Sequence, residues 1–264
     1  MGGEFVSGRV LSFCKVTFSR SSAVARVIVV LAQFSALVML QLSGTIALLR
    51  PIRALFPKSW LHQTWSYGLA AHTAGFLVAL ALMSVLKPFF PGTFGLSLPK
   101  GRSFVWPALW IGTLGGLLML GVDHYPELLM RRAPIGPYST NPANMIPWLL
   151  IQGGVVGLTE ELVFRSLFLG YLITRIPTRV HLGSIDISVA GISIALLFSL
   201  AHASAFWHVP LIAALGQQIY AIGFGLLCAY LFEQSGSIVA PIVAHSAGDL
   251  VEWSCRFALT ALLT

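Results

Sequence analysis

Charge is what this sequence has least of. Only 9% of its 264 residues are Asp, Glu, Lys or Arg, while 56% are hydrophobic. A soluble domain carries roughly 25% charged and about 45–50% apolar residues. So few charges cannot cover a water-facing surface, which excludes a soluble globular enzyme. Disorder is excluded too, because it needs low hydrophobicity and high charge. Cysteine is also scarce. Cys14, Cys228 and Cys255 have no CxxC spacing, so they make no disulfide framework and no zinc site. No basic run with interleaved aromatics is present, which argues against nucleic acid. The net charge of +7 instead fits anionic headgroups and basic membrane loops. The chain has no internal repeat, low-complexity tract, Walker loop or dinucleotide fingerprint.

Long apolar runs are what it does have. Mean hydropathy is +0.84. A span needs about 20 mostly apolar residues, and about seven stretches meet that requirement. They lie near 27–49, 66–86, 104–122, 145–172, 188–208, 210–232 and 238–260. The expected fold is therefore an all-α, multi-pass transmembrane helix bundle in a cell (inner) membrane. Residues 1–26 form a basic N-terminal segment with Arg9, Lys15, Arg20 and Arg26. The apolar run after it is too long for a signal peptide and reads as a retained first span. With the N-terminus inside, Lys87, Lys100, Arg102, Arg175 and Arg179 join those four cations on the inner side. Arg50, Arg53, Lys58, Arg131, Arg132 and Arg256 fall outside. Nine against six favours a cytoplasmic N-terminus. The longest connection, Asp123–Asn144, is rich in proline. Gly112 with Gly116, and Gly153 with Gly157, are GxxxG pairs suited to close helix packing.

An ionisable group at the centre of a span costs about 2.5–3.5 kcal/mol on an insertion scale, so each one needs a reason. They cluster in three places. In the fourth span, Glu160 and Glu161 are adjacent, and Arg165 lies four residues beyond Glu161. Residues i and i+4 share a helix face, so Glu161 and Arg165 are expected to pair. Glu160 points about 100° away and has no partner in its own helix, which leaves it as a candidate general base. The second cluster is Phe198-Ser-Leu-Ala-His202, late in the fifth span; His208 beside Trp207 reads as interfacial. The third is His245-Ser-Ala-Gly-Asp249 in the last span, with imidazole and carboxylate on one face and Glu252 one turn on. Taken singly, each cluster also has a bland reading: a structural ion pair, a core histidine, a polar helix contact. Six such groups on three helices are harder to explain by packing than any one of them.

Several chemistries fail on their motifs. HExxH is absent, so a zinc metalloprotease of that type is excluded. Glu160, His202 and His245 still leave a three-ligand metal site as a minor alternative. Ser235-Gly-Ser237 makes no convincing serine-protease pattern, and Asp249 alone does not supply an aspartyl pair. A transporter or proton relay would use similar residues but predicts repeats or broken helices.

The arrangement that remains is Glu-Glu-x-x-x-Arg, then Phe-x-x-x-His, then His-x-x-x-Asp on successive hydrophobic helices. It resembles the CAAX prenyl protease and bacteriocin-processing family (CPBP or Abi), over residues 145–255. The resemblance implies a catalytic membrane core at 145–264, preceded by N-terminal spans at 27–144. It implies a glutamate-dependent intramembrane endopeptidase that requires no metal or other cofactor. Glu160, helped by His202, would activate water. His245 would polarise the scissile carbonyl or stabilise the oxyanion, with Asp249 orienting it. Glu161, Arg165 and Phe198 would support the site. The substrate would be a membrane-embedded or lipid-anchored peptide: a prenylated tail, a peptide pheromone, a bacteriocin leader or a sorting signal. The family often has Asn where this chain has Asp249, and an ionised Asp donates no hydrogen bond. The competing reading is a non-proteolytic bacteriocin-immunity or scaffold protein of the same fold. Span counting also sets a difficulty. It puts Glu160 near mid-helix, His202 toward the outer end of its span and His245 in the inner third, unless the loop at Arg175–Ile187 shifts the fifth span.

Overall fold

The computed structural model describes residues 23–90, 92–99, 101–134, 140–183 and 185–264. Most of the basic N-terminal segment, with Cys14, lies outside these residues, as do Lys100 and Pro137. Long helices dominate: α1 (Ala23–Ala54), α2 (Thr64–Leu86) and α3 (Val105–Leu129) come first. A composite helical run follows. It comprises α4 (Pro142–Leu150), a π-helical stretch π1 (Ile151–Val156), α5 (Gly157–Glu161), a second π stretch π2 (Leu162–Leu169) and α6 (Gly170–Ile173). A hairpin of β1 (Arg179–Leu182) and β2 (Ile185–Ser188) leads into α7 (Val189–Ala201), the short α8 (Ala205–His208), α9 (Leu211–Ser235) and α10 (Val239–Leu263).

Five of these segments are long and apolar enough to cross a membrane: Ala25–Ala54, Thr64–Phe89, Val105–Leu129, Val189–His208 and Leu211–Ser235. The other two expected spans are helical as well. The first is divided by its π stretches, and the last carries Asp249, Glu252 and Arg256. The surface is correspondingly apolar. Leu40, Ile46, Leu118 and Ile219 are all more than half exposed, as side chains facing lipid would be. Small residues fill the interior: Ala70, Ala74, Ala79, Ala195, Ala214 and Ala244 are fully buried. Lipid tails are as apolar as leucine, so helices in a bilayer associate by close approach of small side chains, not by expelling water.

The closest approach joins α3 to α10. A Cβ on Gly112 would collide with the carbonyl of Ala244, and one on Gly116 with that of Gly248. Both positions carry out the packing role that the GxxxG spacing implied. Gly116→Leu is therefore expected to lower Tm in detergent far more than Gly121→Leu, since a Cβ at Gly121 meets nothing within 4 Å. α3 also bends. His124 leaves helical geometry (φ −125°, ψ 19°) two residues before Pro126, whose ring and missing N–H break the ladder.

Among the described residues the buried side chains form three clusters. In the first, Leu37, Met83, Phe94, Leu172, Ile187 and Phe232 pack together. The second holds Ala108, Phe198, Phe224 and Ala244. The third holds Trp65, Trp148, Ile151 and Phe257.

Two local expectations change. The stretch read as a loop at Arg175–Ile187 holds an antiparallel hairpin with Val180 opposite Ile187 and His181 opposite Asp186. Arg179 clamps it, reaching Asp186 at 2.7 Å and Glu233 of α9 at 2.8 Å. Ser188 caps α7 by accepting from the Gly191 N–H at 2.8 Å, while its hydroxyl donates to Glu233 at 2.7 Å. The fifth span is also interrupted: α7 stops at Ala201, and α8 completes the apolar segment Val189–His208. His202, at the C-cap of α7, lines the same cavity as Glu160 and His245, so the span-counting difficulty does not keep the three apart.

Candidate active site

Asn141 caps the composite run by accepting from the Ala143 N–H at 2.9 Å, and Pro142 opens the first turn. The two π stretches then flank the five residues of α5. Such i→i+5 turns are uncommon and concentrate at functional sites. They set Glu160 and Glu161 in different surroundings. The Glu160 side chain keeps 21% of its surface open toward a cavity; that of Glu161 has none. A Cβ at Gly157 would meet Ser246 Oγ at 2.6 Å and His245 Cβ at 3.3 Å. Glycine there lets α5 lie close enough to α10 for the glutamates to meet His245.

Glu161 is a buried hub. Its Oε1 lies 3.1 Å from Arg165 Nη1 and 2.7 Å from His245 Nδ1. The pairing with Arg165 is the one that i, i+4 spacing implied; the bond to His245 crosses between helices. Arg165 is fully buried on π2 and donates from Nη2 to the Gly225 carbonyl at 3.2 Å. Its guanidinium faces the Phe198 ring at 4.8 Å from the centroid. Phe198 thus links the cation to both imidazoles, with ring centroids 4.8 Å from His202 and 5.9 Å from His245.

A carboxylate only accepts, so the His245 nitrogen bonded to Glu161 is the protonated Nδ1. That leaves Nε2 directed at the remaining acids. It stands 3.7 Å from Glu160 Oε2 and 3.7 Å from Asp249 Oδ2. The ring is held edge-on by Phe198 and Phe224. The bond that orients His245 comes from Glu161, and Asp249 sits beyond hydrogen-bond range of its other nitrogen.

His202 owes its pose to the end of α7. Its backbone N–H turns to Ser199, and its Nδ1 takes the Phe198 carbonyl at 2.8 Å. A carbonyl accepts, so Nδ1 carries the hydrogen and the neutral ring keeps its lone pair on Nε2. His208 is exposed at the end of α8.

A cavity of about 190 Å³ is lined by Glu160, His202, His245, Asp249 and Phe198. Glu161 and Arg165 lie behind its wall. Sequence reasoning missed His72 of α2, along with Gln152 and Tyr220, which line the same space. The signal for His72 was there: like His202, it is a lone imidazole in an apolar helix. Glu252 turns away toward α3, where its carboxylate lies 3.8 Å from His124. Among the described residues no group of three or more His, Cys, Asp or Glu is arranged to hold a metal ion. The three-ligand alternative therefore has no matching geometry.

No curated protein and no solved structure matches the chain. A protein-family model does match, over residues 142–251, the stretch that carries Glu160, Glu161, Arg165, Phe198, His202, His245 and Asp249. Over that stretch the chain is similar to the Type II CAAX prenyl endopeptidase Rce1-like family, which supports the resemblance to the CAAX protease and bacteriocin-processing group.

Proposed function

We propose that this multi-pass membrane protein is an intramembrane endopeptidase whose nucleophile is a water activated by Glu160. The single observation that carries this reading is the shared cavity. It gathers one carboxylate without a hydrogen-bonded partner, two imidazoles and Asp249 on three elements of the family-matched stretch. The Glu160 carboxylate takes a proton from water as the water oxygen attacks the peptide carbonyl carbon. His202 Nε2 accepts a second hydrogen bond from that water and aligns it. With the Nδ1 hydrogen of His245 committed to Glu161, the ring acts on the carbonyl oxygen as the imidazolium, donating from a second hydrogen on Nε2 to the site where the oxyanion forms. The proton on Glu160 passes to the amide nitrogen as the C–N bond breaks, which restores the carboxylate. Aromatic walls from Phe198 and Phe224 limit water access, which strengthens each electrostatic contact. The substrate is a peptide held in or anchored to the bilayer, since the cavity lies among membrane-spanning helices.

The test uses the full chain in nanodiscs with a fluorogenic lipidated peptide. His202→Ala is expected to lower kcat about 10²–10⁴-fold, the usual contribution of a positioned acid–base group, with little change in KM. A strong zinc chelator should leave the parent's rate unchanged. Unaltered turnover in the variant, or chelator inactivation reversed by added Zn²⁺, would overturn the reading.

A further inference from the structure

The turn between α1 and α2 carries a feature the proposed chemistry does not use. From residue 5 to residue 122 the chain has no Asp or Glu. Arg50, Arg53 and Lys58 thus stand in a region without acidic residues of its own, and among the described residues no carboxylate pairs with Arg53. Arg53 is half-buried, and its Nη2 is fixed by donating to the Leu61 carbonyl at 2.7 Å. Its Nε is buried with no partner among the described residues. A buried donor left unbonded costs about 1–3 kcal/mol, so it marks a place where an acceptor belongs.

That place is a recess of about 330 Å³, lined by Arg53, His62, Gln63, Thr64, Tyr67 and Trp148. A second hollow of about 250 Å³ adjoins it, sharing Arg53 and adding Arg50. No acidic side chain lines either one. The Tyr67 ring lies 5.8 Å from the Arg53 guanidinium, and Trp60 stacks edge-on to Trp65 at 5.0 Å. Trp60 and Tyr67 are exposed, and the turn joins the ends of two spans. Exposed Trp and Tyr at span ends mark the headgroup level of a bilayer, and a guanidinium fork matches phosphate oxygens in pairs. We infer that this recess binds a phosphate-bearing anion through Arg53, presented by an anionic phospholipid headgroup or as free phosphate. The recess also touches the catalytic wall: its Trp148 packs edge-on at 4.9 Å against Trp253, which lines the other cavity.

The full chain in detergent, mixed with phosphatidylglycerol or phosphatidylcholine, is read by native mass spectrometry. The parent is expected to retain one phosphatidylglycerol in preference to phosphatidylcholine. Arg53→Gln should lower that occupancy at least tenfold. Since Arg53 also secures the turn, Thr64→Glu is the second variant. A glutamate suits the first turn of α2, so Tm should hold while its charge expels the anion. Arg26→Gln, on the far end of α1, should change nothing. A parallel titration with inorganic phosphate separates the sources: competition at millimolar phosphate assigns the site to free phosphate, and no competition assigns it to the lipid headgroup. Equal phosphatidylglycerol retention by the parent, Arg53→Gln and Thr64→Glu would overturn the inference. None of these readings depends on proteolysis, so they stand or fall apart from the proposed activity.

Discussion

Glu160→Gln should yield a protein that inserts, folds and melts like the parent but does not cleave. The side chains are of nearly equal size, so the cavity wall keeps its shape. Among the described residues Glu160 makes no hydrogen bond that the change would break; His245 Nε2 lies 3.7 Å from its Oε2. The buried bonds of Glu161 to Arg165 and His245 are left in place, so the melt should stay close to the parent's. Activity is a different matter. An amide cannot take a proton from water at neutral pH, so the general-base contribution of about 10²–10⁴ in rate is lost outright. The measurement is single-turnover cleavage in nanodiscs beside a thermal melt of the same preparation. Turnover at the parent's rate would remove Glu160 from the chemistry. A collapsed melt would make it a structural residue.

Arg165→Leu should do the reverse, and damage stability first. It removes the cation from a carboxylate with no exposed surface, 3.1 Å away. Breaking a buried pair by deleting one partner typically costs about 3–5 kcal/mol, and here the surviving carboxylate keeps only the bond from His245. The hydrogen bond to the Gly225 carbonyl and the contact with the Phe198 ring go as well. Denaturation in detergent should show a lower midpoint. Glu161→Gln together with Arg165→Leu should recover part of the loss, since the buried carboxylate that lost its cation is then neutral while its side chain can still accept from His245. An unchanged melt for Arg165→Leu would mean that the pair contributes nothing. Cleavage should fall in both proteins, because the anchor of His245 is disturbed in each.

Much of this could be read along the chain because it is local. Glu161 and Arg165 share a helix face by spacing alone, and the long apolar runs announce the spans. The bond from Glu161 to His245 could not be read, because it depends on how closely α5 and α10 pack, which Gly157 decides. The stop of α7 at Ala201 was hidden by composition: residues 202–208 stay apolar enough to extend the span. The π stretches left no trace, since they follow from packing and not from residue preference. The hairpin, by contrast, was legible and passed over. Val180 and Leu182, then Ile185 and Ile187, alternate around Gly183-Ser184, a recognised two-residue turn signal. Gly183 has the positive φ of 61° such a turn requires. In so hydrophobic a chain the alternation did not stand out.

The glycine seam of α3 against α10 bears on how much of the chain forms a self-sufficient unit. The family match begins at residue 142, after α3 has ended. Yet the backbone carrying His245 and Asp249 rests on Gly112 and Gly116, and α2 supplies His72 to the opposite wall. A fragment cut at the homology boundary would offer detergent a bare groove down α10 and lose one flank of its reaction chamber. The less recognisable half is therefore scaffolding for the recognisable one, and the two have to be made, and engineered, together.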